Sequence, residues 1–379
     1  MILQQEGIRV GETLLHDDIY LLPDTLVVAL QPDRRVASTS VLNGGCREGM
    51  RYLYNHSYSR SPLVQHKINT KMAAPNLFQH YKELTRQLQL PVEQTVAMGT
   101  AAKLEHRAQV QCDQQNLGVQ AIVTAGIDYN GGRAGDPPSY DERTGENLMP
   151  APGTINTMLF IDAALSPGVL VQALMTATEA KAAALQELQA GSHYSNGIAT
   201  GSGTDTIMVV SNTASDCSLY DAGQHSLLGS KIGQIIIAAT KQALAYGGEG
   251  MTPERQGTLL WQGYRYGITP ETLTQIYCQQ NQTPLPTAQV TQLMNDREVM
   301  AYIAPLLHLM DQRTWGLLPA HAFQDRFDTY LNHLRHLPYP PDLIQALTIL
   351  LKGVADTATH SHYSIRGSLP PLGQTLNDW

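Results

Sequence analysis

The chain has 379 residues, 42% of them hydrophobic, 15% charged and 6% aromatic, with a formal net charge of −8. That composition excludes a disordered or fibrous chain, and the length suffices to bury an aliphatic core in one large domain or two. The balance of 25 Lys and Arg against 33 Asp and Glu argues against a broad basic surface for nucleic acid or anionic lipid.

No window approaches the roughly 18 consecutive apolar residues of a membrane span. The start, MILQQEGIRV, lacks a basic region followed by an apolar run, so a cytoplasmic protein is expected. In chain order, residues 34–42, 93–98, 119–124, 155–161 and 206–211 have strand length and β-branched enrichment, and each runs into a polar or glycine-bearing turn. Val169, Leu170, Ala173, Leu174, Ala177, Ala180, Ala184 and Leu185 recur at helical spacing after Ser166-Pro167, and a second helix is expected over 231–246. These strands are not separated by regular helical crossovers, which points to a layered α+β domain instead of a doubly wound parallel sheet.

Near residue 250 the Gly-, Thr- and Val-rich composition gives way to Gln, Leu, His and Pro. Thr252-Pro253-Glu254 and Thr269-Pro270-Glu271 each place an N-cap hydroxyl, a proline and a first-turn acid, so two successive helices are expected there. Further helices are expected over 286–296, 323–337 and 340–355. The division is therefore 1–250, a helical extension over 251–357, and a loosely held tail over 358–379. Cys46, Cys112, Cys217 and Cys278 form no CxxC pair, so buried, reduced thiols are expected.

Four turns concentrate groups that can bind or react: Asn43-Gly44-Gly45, the stretch from Thr124-Ala125-Gly126 to Asp136, Thr154 to Thr157, and Gly197 to Asp205 with Gly201, Gly203 and Thr204. Glycines at strand ends let backbone N–H groups approach a ligand or an oxyanion, although glycine is also the default turn residue. The segment GIATGSGTDT fails as a phosphate cradle, having no lysine after its glycines and Thr206 where GxGxxG needs its third glycine. Thr157 follows Asn156 in the apolar strand INTMLFID, with Glu179 and Lys181 on the following helix. Those two are two apart, so at most one is expected to point into a site in front of the helix. His16-Asp17-Asp18 and His360-Ser361-His362 lack metal-ligand spacing such as HExxH, and no metal site is expected. His225 precedes a helix among small polar residues, where an imidazole can serve as acid, base or axial ligand to a bound metal complex.

The sequences APGTINTMLFIDAALSPGVLVQALMTATEAKAAALQELQ, YSNGIATGSGTDTIMVVSN and DAGQHSLLGSKIG, with the NGG at Asn43 and TAGIDYNGGRAGDP from Thr124, resemble the CbiZ family of adenosylcobinamide amidohydrolases. The resemblance covers roughly residues 15 to 245. It implies an amide hydrolase of corrinoid salvage that removes the aminopropanol arm of adenosylcobinamide, or of a related cobamide, to give adenosylcobyric acid. The cobalt then arrives in the substrate and no separate cofactor is implied. The expected partner is the small-molecule corrinoid, and a homo-oligomer is left open. A non-catalytic corrinoid carrier is the competing reading.

A fainter resemblance is to the ornithine acetyltransferase and DmpA-like group, which uses a Thr or Ser nucleophile inside an αββα-like sandwich. Ala151-Pro152, Thr157-Met158-Leu159, the Ser166 helix and Gly203-Thr204-Asp205 fall in that group's order. It implies Thr157 as nucleophile, oxyanion donors near Thr124 to Gly126, and Asn156 and Asp205 as orienting groups. It also raises a self-processing acyltransferase. In an unbroken chain Thr157 has no α-amine, so Lys181, Glu179, Asp205 or His225 would act as base, or a carboxylate would activate water directly.

Overall fold

The computed structural model describes residues 7–59, 76–138, 140–141, 143, 146–147, 153–247 and 250–358. The Ala151-Pro152 turn, the His360 and His362 pair and the tail beyond residue 358 lie outside them. The chain divides into two compact units, Met1–Gly257 and Thr258–Trp379.

In the first unit the strands are β1 (Ile8–Glu12), β2 (Asp18–Leu22), β3 (Thr25–Ala29), β4 (Arg34–Ser38), β5 (Gly45–Glu48), β6 (Tyr52–Ser57), β7 (Thr95–Thr100), β8 (Ala108–Gln114), β9 (Leu117–Gly126), β10 (Thr154–Ile161) and β11 (Thr206–Asn212). The long helices are α1 (Leu77–Gln87), α2 (Pro167–Glu187) and α3 (Leu227–Tyr246). One sheet runs β1-β2-β3-β6-β7 and the other β5-β4-β11-β10-β9-β8. Both are mixed: β6 and β7 are parallel, as are β10 and β11, and the other pairs are antiparallel. Two-residue strand pairs join 140–141 to 146–147 and 164–165 to 218–219.

Strand periodicity sets the layers, because successive side chains of a strand face opposite sides. From β10, Ile155, Leu159 and Ile161 pack with Leu170, Ala173 and Ala177 of α2 and Ile232, Ile236 and Ala239 of α3. Met158 and Phe160, on the other face, pack with Leu26, Val28, Leu53, Val96 and Met98 of the five-stranded sheet. The far side of that sheet, through Val27, Tyr54 and Ala97, packs with Tyr81 of α1. The order is thus helix, sheet, sheet, helix pair: a mixed α+β arrangement. The Ser166 hydroxyl caps α2 by accepting from the Val169 N–H, and Ser226 caps α3 at Gly229.

All five expected strands are present, within a few residues at their ends. Strands β1, β2, β3, β5, β6 and β8 and helix α1 were not among the expected elements; β1 and β8 are mixed in polarity, whereas β3, TLVVA, is as apolar and β-branched as the expected strands and matches β4 in length. The Thr252 start gives only one turn, Pro253–Gln256. That turn belongs with the first unit: Met251 joins its core, and the Gln256 amide donates to the Leu188 carbonyl at 2.9 Å. Cys46 is exposed and the other three cysteines are half-buried, so none is buried as expected.

The second unit is helical, with α4 (Pro270–Asn281), α5 (Thr287–Asn295), α6 (Arg297–Thr314), α7 (Ala320–His333) and α8 (Pro341–Ala358) around their own apolar core. Within it Arg265 makes a two-pronged ion pair with Asp311, both bonds 2.7 Å, and the Tyr266 hydroxyl donates to the same carboxylate. No helix among the described residues is long and apolar enough to cross a membrane.

His56 on β6 exchanges a 2.8 Å hydrogen bond with the Thr25 hydroxyl, and burial pushes its imidazole down from 6.5 to about 4, with Asp24 opposing. The unfolded chain therefore takes up a proton at a pH where the folded one does not, so stability falls as pH drops from about 6.5 to about 4. His56→Gln should flatten that part of the stability profile, measured by urea unfolding at successive pH values, and leave stability above pH 7 with little pH dependence from this group.

Candidate active site

A cavity of about 600 Å³ opens where β11 begins, beside the C-terminal half of α2. Three segments separate in sequence build it: Gly132 to Pro138, Thr178 to Ala182, and Tyr194 with Thr200 to Asp205. An antiparallel bridge closes the first segment onto the third, with the Gly132 N–H donating to the Gly201 carbonyl at 2.8 Å and Thr200 N–H to the Gly132 carbonyl at 2.9 Å.

At its floor the Lys181 ammonium donates to Asp205 Oδ2 at 2.5 Å, with both side chains less than a tenth exposed. Asp205 also accepts from the Ser202 N–H at 3.2 Å, the Ser202 hydroxyl at 2.5 Å and the Ile155 N–H at 2.8 Å. A buried carboxylate is tolerable because it is satisfied in this way, and its partners tie α2, the turn and the start of β10 together. An ammonium has three donors, and Asp205 is the one hydrogen-bond partner of Lys181 among the described residues. The remaining N–H bonds of this cavity-lining group can therefore meet an oxygen from a ligand.

Glycine is required at 201, because a β-carbon there would stand 2.3 Å from Asp205 Oδ2 and 2.8 Å from Lys181 Nζ. Around the rim Asp136 accepts from the Arg133 N–H at 2.7 Å and the Ser192 hydroxyl at 2.6 Å. Thr200 Oγ1 accepts from the Ala134 N–H at 2.9 Å. Burial, then the charge of Asp136, pushes the Tyr194 phenol up, so it remains a neutral donor.

Of the residues singled out from sequence, Lys181, Asp205, Glu179, Asp136, Gly201 and Gly203 line this cavity. Lys181 and Glu179 both line it, contrary to the one-face expectation: Lys181 is buried at the floor, whereas Glu179 is exposed at the edge, so the cavity wraps further round α2 than one stripe. Thr204 sits in the same turn, its hydroxyl donating to the Gly153 carbonyl at 2.9 Å.

Asn156 and Thr124 point between the sheets. The Asn156 amide donates to Asn55 Oδ1 at 3.1 Å and the Gly99 carbonyl at 2.7 Å, and Thr124 Oγ1 accepts from the Asn55 amide at 2.8 Å. Thr157, next in the strand, faces the opposite way, is 1% exposed and is not among the cavity-lining residues. No hydrogen bond joins it to Lys181, Asp205 or His225 among the described residues. Ala125 and Gly126 lie in the ladder opposite Ile155 and Thr154.

Asn43 and Gly44 lie in the turn between β4 and β5 and Gly45 opens β5, all three apart from the cavity lining. The Asn43 amide donates to the Val92 and Thr95 carbonyls at 2.7 and 2.8 Å, and a β-carbon on Gly44 would stand 2.0 Å from the Ser40 carbonyl oxygen. His225 is exposed in the loop before α3 and does not line the cavity either.

Arg133, Thr178, Tyr194, Thr200 and Ser202 are the polar lining residues that sequence reasoning did not single out individually. A signal existed for one of them: Ser202 stands three residues before Asp205, the spacing at which a hydroxyl and a carboxylate close a turn on each other.

A family model described as CbiZ, adenosylcobinamide amidohydrolase, matches residues 12–249. An uncharacterized protein of Methanocaldococcus jannaschii, MJ1613, is 28% identical over 250 residues, covering 62% of this chain and 90% of its own. Among solved structures, that of the PH0078 protein from Pyrococcus horikoshii OT3 aligns with 64% of this chain and 84% of its own, at 13% identity and a TM-score of 0.29, a likeness too slight to carry an argument.

Gly201→Ala should force the Lys181–Asp205 pair apart, since Asp205 is pinned by four hydrogen bonds and cannot swing away. The expected cost is about 1–3 kcal/mol, the usual range for overpacking, read as a lower urea midpoint at unchanged slope. An unchanged midpoint would show that the turn yields without strain.

Proposed function

The chain belongs to the CbiZ family, and from that premise we propose that this cavity hydrolyses the amide joining the aminopropanol arm of adenosylcobinamide, or of a related cobamide, to its corrin ring, releasing adenosylcobyric acid. The observation that carries the reading is the buried Lys181 ammonium, held by Asp205 through one donor and lining a cavity wide enough for an amide arm. In the reaction the carbonyl oxygen of the arm approaches Lys181. Water attacks the acyl carbon, the negative charge develops on that oxygen, and the carbon–nitrogen bond then breaks with a proton passing to the leaving amine. A fixed cation aimed at the developing charge needs no reorganisation during the reaction, and one such donor is worth roughly 3 kcal/mol.

Glu179 is the carboxylate at the cavity edge with freedom to take the proton of the attacking water. Asp205 is less suited to that task, because its two oxygens already accept four hydrogen bonds. It holds Lys181 in place. Tyr194 offers a neutral phenol to the polar groups of the arm. Direct attack by water is preferred to an acyl-enzyme on Thr157, whose hydroxyl lies on the helix-facing side of β10 and outside the cavity lining. The corrinoid brings its own cobalt as part of the substrate.

Incubation with adenosylcobinamide and with intact cobamides, read by mass, should yield adenosylcobyric acid. A shift in the corrinoid's visible spectrum without that product would instead support a carrier. Lys181→Met should lower kcat by about 10²–10³, and Glu179→Gln should lower it with little change in folding. Thr157→Val should retain turnover within a few-fold. Full activity of Lys181→Met would remove the lysine from the chemistry, and loss of activity in a folded Thr157→Val would reassign it to the threonine.

A further inference from the structure

A cavity of about 600 Å³ falls in the range that encloses a drug-sized ligand. A corrin macrocycle with its amide arms and adenosyl group is larger, so the cavity can take an arm but not the ring. The ring needs a surface continuous with the mouth, wide and largely apolar, and α2 presents one. Val171, Met175, Thr178 and Ala182 are spaced by four, three and four residues and so form a single stripe along the helix. Thr178 and Ala182 line the cavity. Val171 and Met175 continue the stripe outside it and are 58% and 53% exposed.

The Thr178 hydroxyl donates to the Leu174 carbonyl of its own helix at 2.8 Å, which leaves no unmet polar group in the stripe. Beside it the loop before α3 is fastened to α2: the Ala222 N–H donates to Gln172 Oε1 at 3.3 Å and the Thr176 hydroxyl to the Ala222 carbonyl at 2.7 Å. Tyr220, two residues before Ala222, is 92% exposed. Val171 and Met175, one turn apart, expose an apolar face that runs on along the helix from the cavity-lining Thr178 and Ala182, and a flexible methionine suits an irregular ligand.

We propose that the corrin ring rests outside the cavity on the α2 stripe at Val171 and Met175, with Tyr220 at its edge, while only the scissile arm enters toward Lys181. This assignment rests on the corrinoid reading above, and it makes the stripe the determinant of ring affinity, separate from the chemistry of the arm.

Adenosylcobyric acid, which has the ring but not the scissile arm, separates the two. Equilibrium dialysis should show it binding to the wild-type protein and about tenfold more weakly to a Val171→Glu, Met175→Glu double variant. Leu317→Glu in the second unit, at a leucine 65% exposed, should bind as wild type does. With adenosylcobinamide the double variant should show a raised KM at nearly unchanged kcat. Circular dichroism confirms that the variants fold, which is expected because both positions face solvent. Ring binding unchanged in the double variant overturns the proposal. So does unchanged binding with altered sedimentation of the free protein, which would mean that a second copy covers the stripe. If wild type binds the ring, the variant does not, and neither releases product from adenosylcobinamide, the hydrolase reading falls and the ring platform stands.

Discussion

Strand β10 faces water on neither side: each of its eight residues, Thr154 to Ile161, is buried. A strand in that position has to be covered twice, by a helix layer on one face and a second sheet on the other, and the first unit is built to do so. Aliphatic residues at alternate positions serve both faces, with Leu159 and Ile161 toward α2 and α3 and Met158 and Phe160 toward the other sheet. The polar residues near its start then require partners within the protein. Asn156 finds them in Asn55, Gly99 and the Thr206 N–H, and the Ile155 N–H finds one in Asp205.

That last bond connects core to site. Asp205 takes the N–H at the edge of the most buried strand and, through its other oxygen, holds the ammonium of Lys181. Removing a buried charge from water is costly, and the pair persists because each of the carboxylate's oxygens has more than one donor. The same arrangement fixes where the ammonium lies without exhausting its donors. A rigidly placed cation with donors to spare is what the developing oxyanion of amide hydrolysis requires. Packing of the two-faced strand therefore positions the Lys181 ammonium even though no residue of β10 lines the cavity.

Much of this could be read along the chain. The alternation in 119–124, 155–161 and 206–211, the helix after Ser166 and the Gly- and Asp-bearing turn at 201–205 are local patterns, and local geometry dictates them. Lys181 and Asp205 were legible as chemical groups, and the motifs that contain them identify the family. Strands β1, β2, β3 and β6 were not picked out, although β2 and β3 match β4 in length and β6 matches β7; β6 is fixed by its parallel partner β7, about forty residues further on.

What the sequence by itself determined was the family, the α+β character of the first 250 residues or so, and the helical character of the described residues that follow, to 358; it also offered a set of residues with suitable chemical groups. The tertiary structure decided which of them meet. Asn156 and Thr157 must face opposite ways in a strand, but nothing in their order says which side carries a cavity. The cavity arises only where Gly132, Lys181 and Asp205, separated by 49 and 24 positions in the sequence, are brought together by the bridge to Gly201 and the ion pair beneath it. Contacts of that range depend on the packing of whole layers, which no local spacing records.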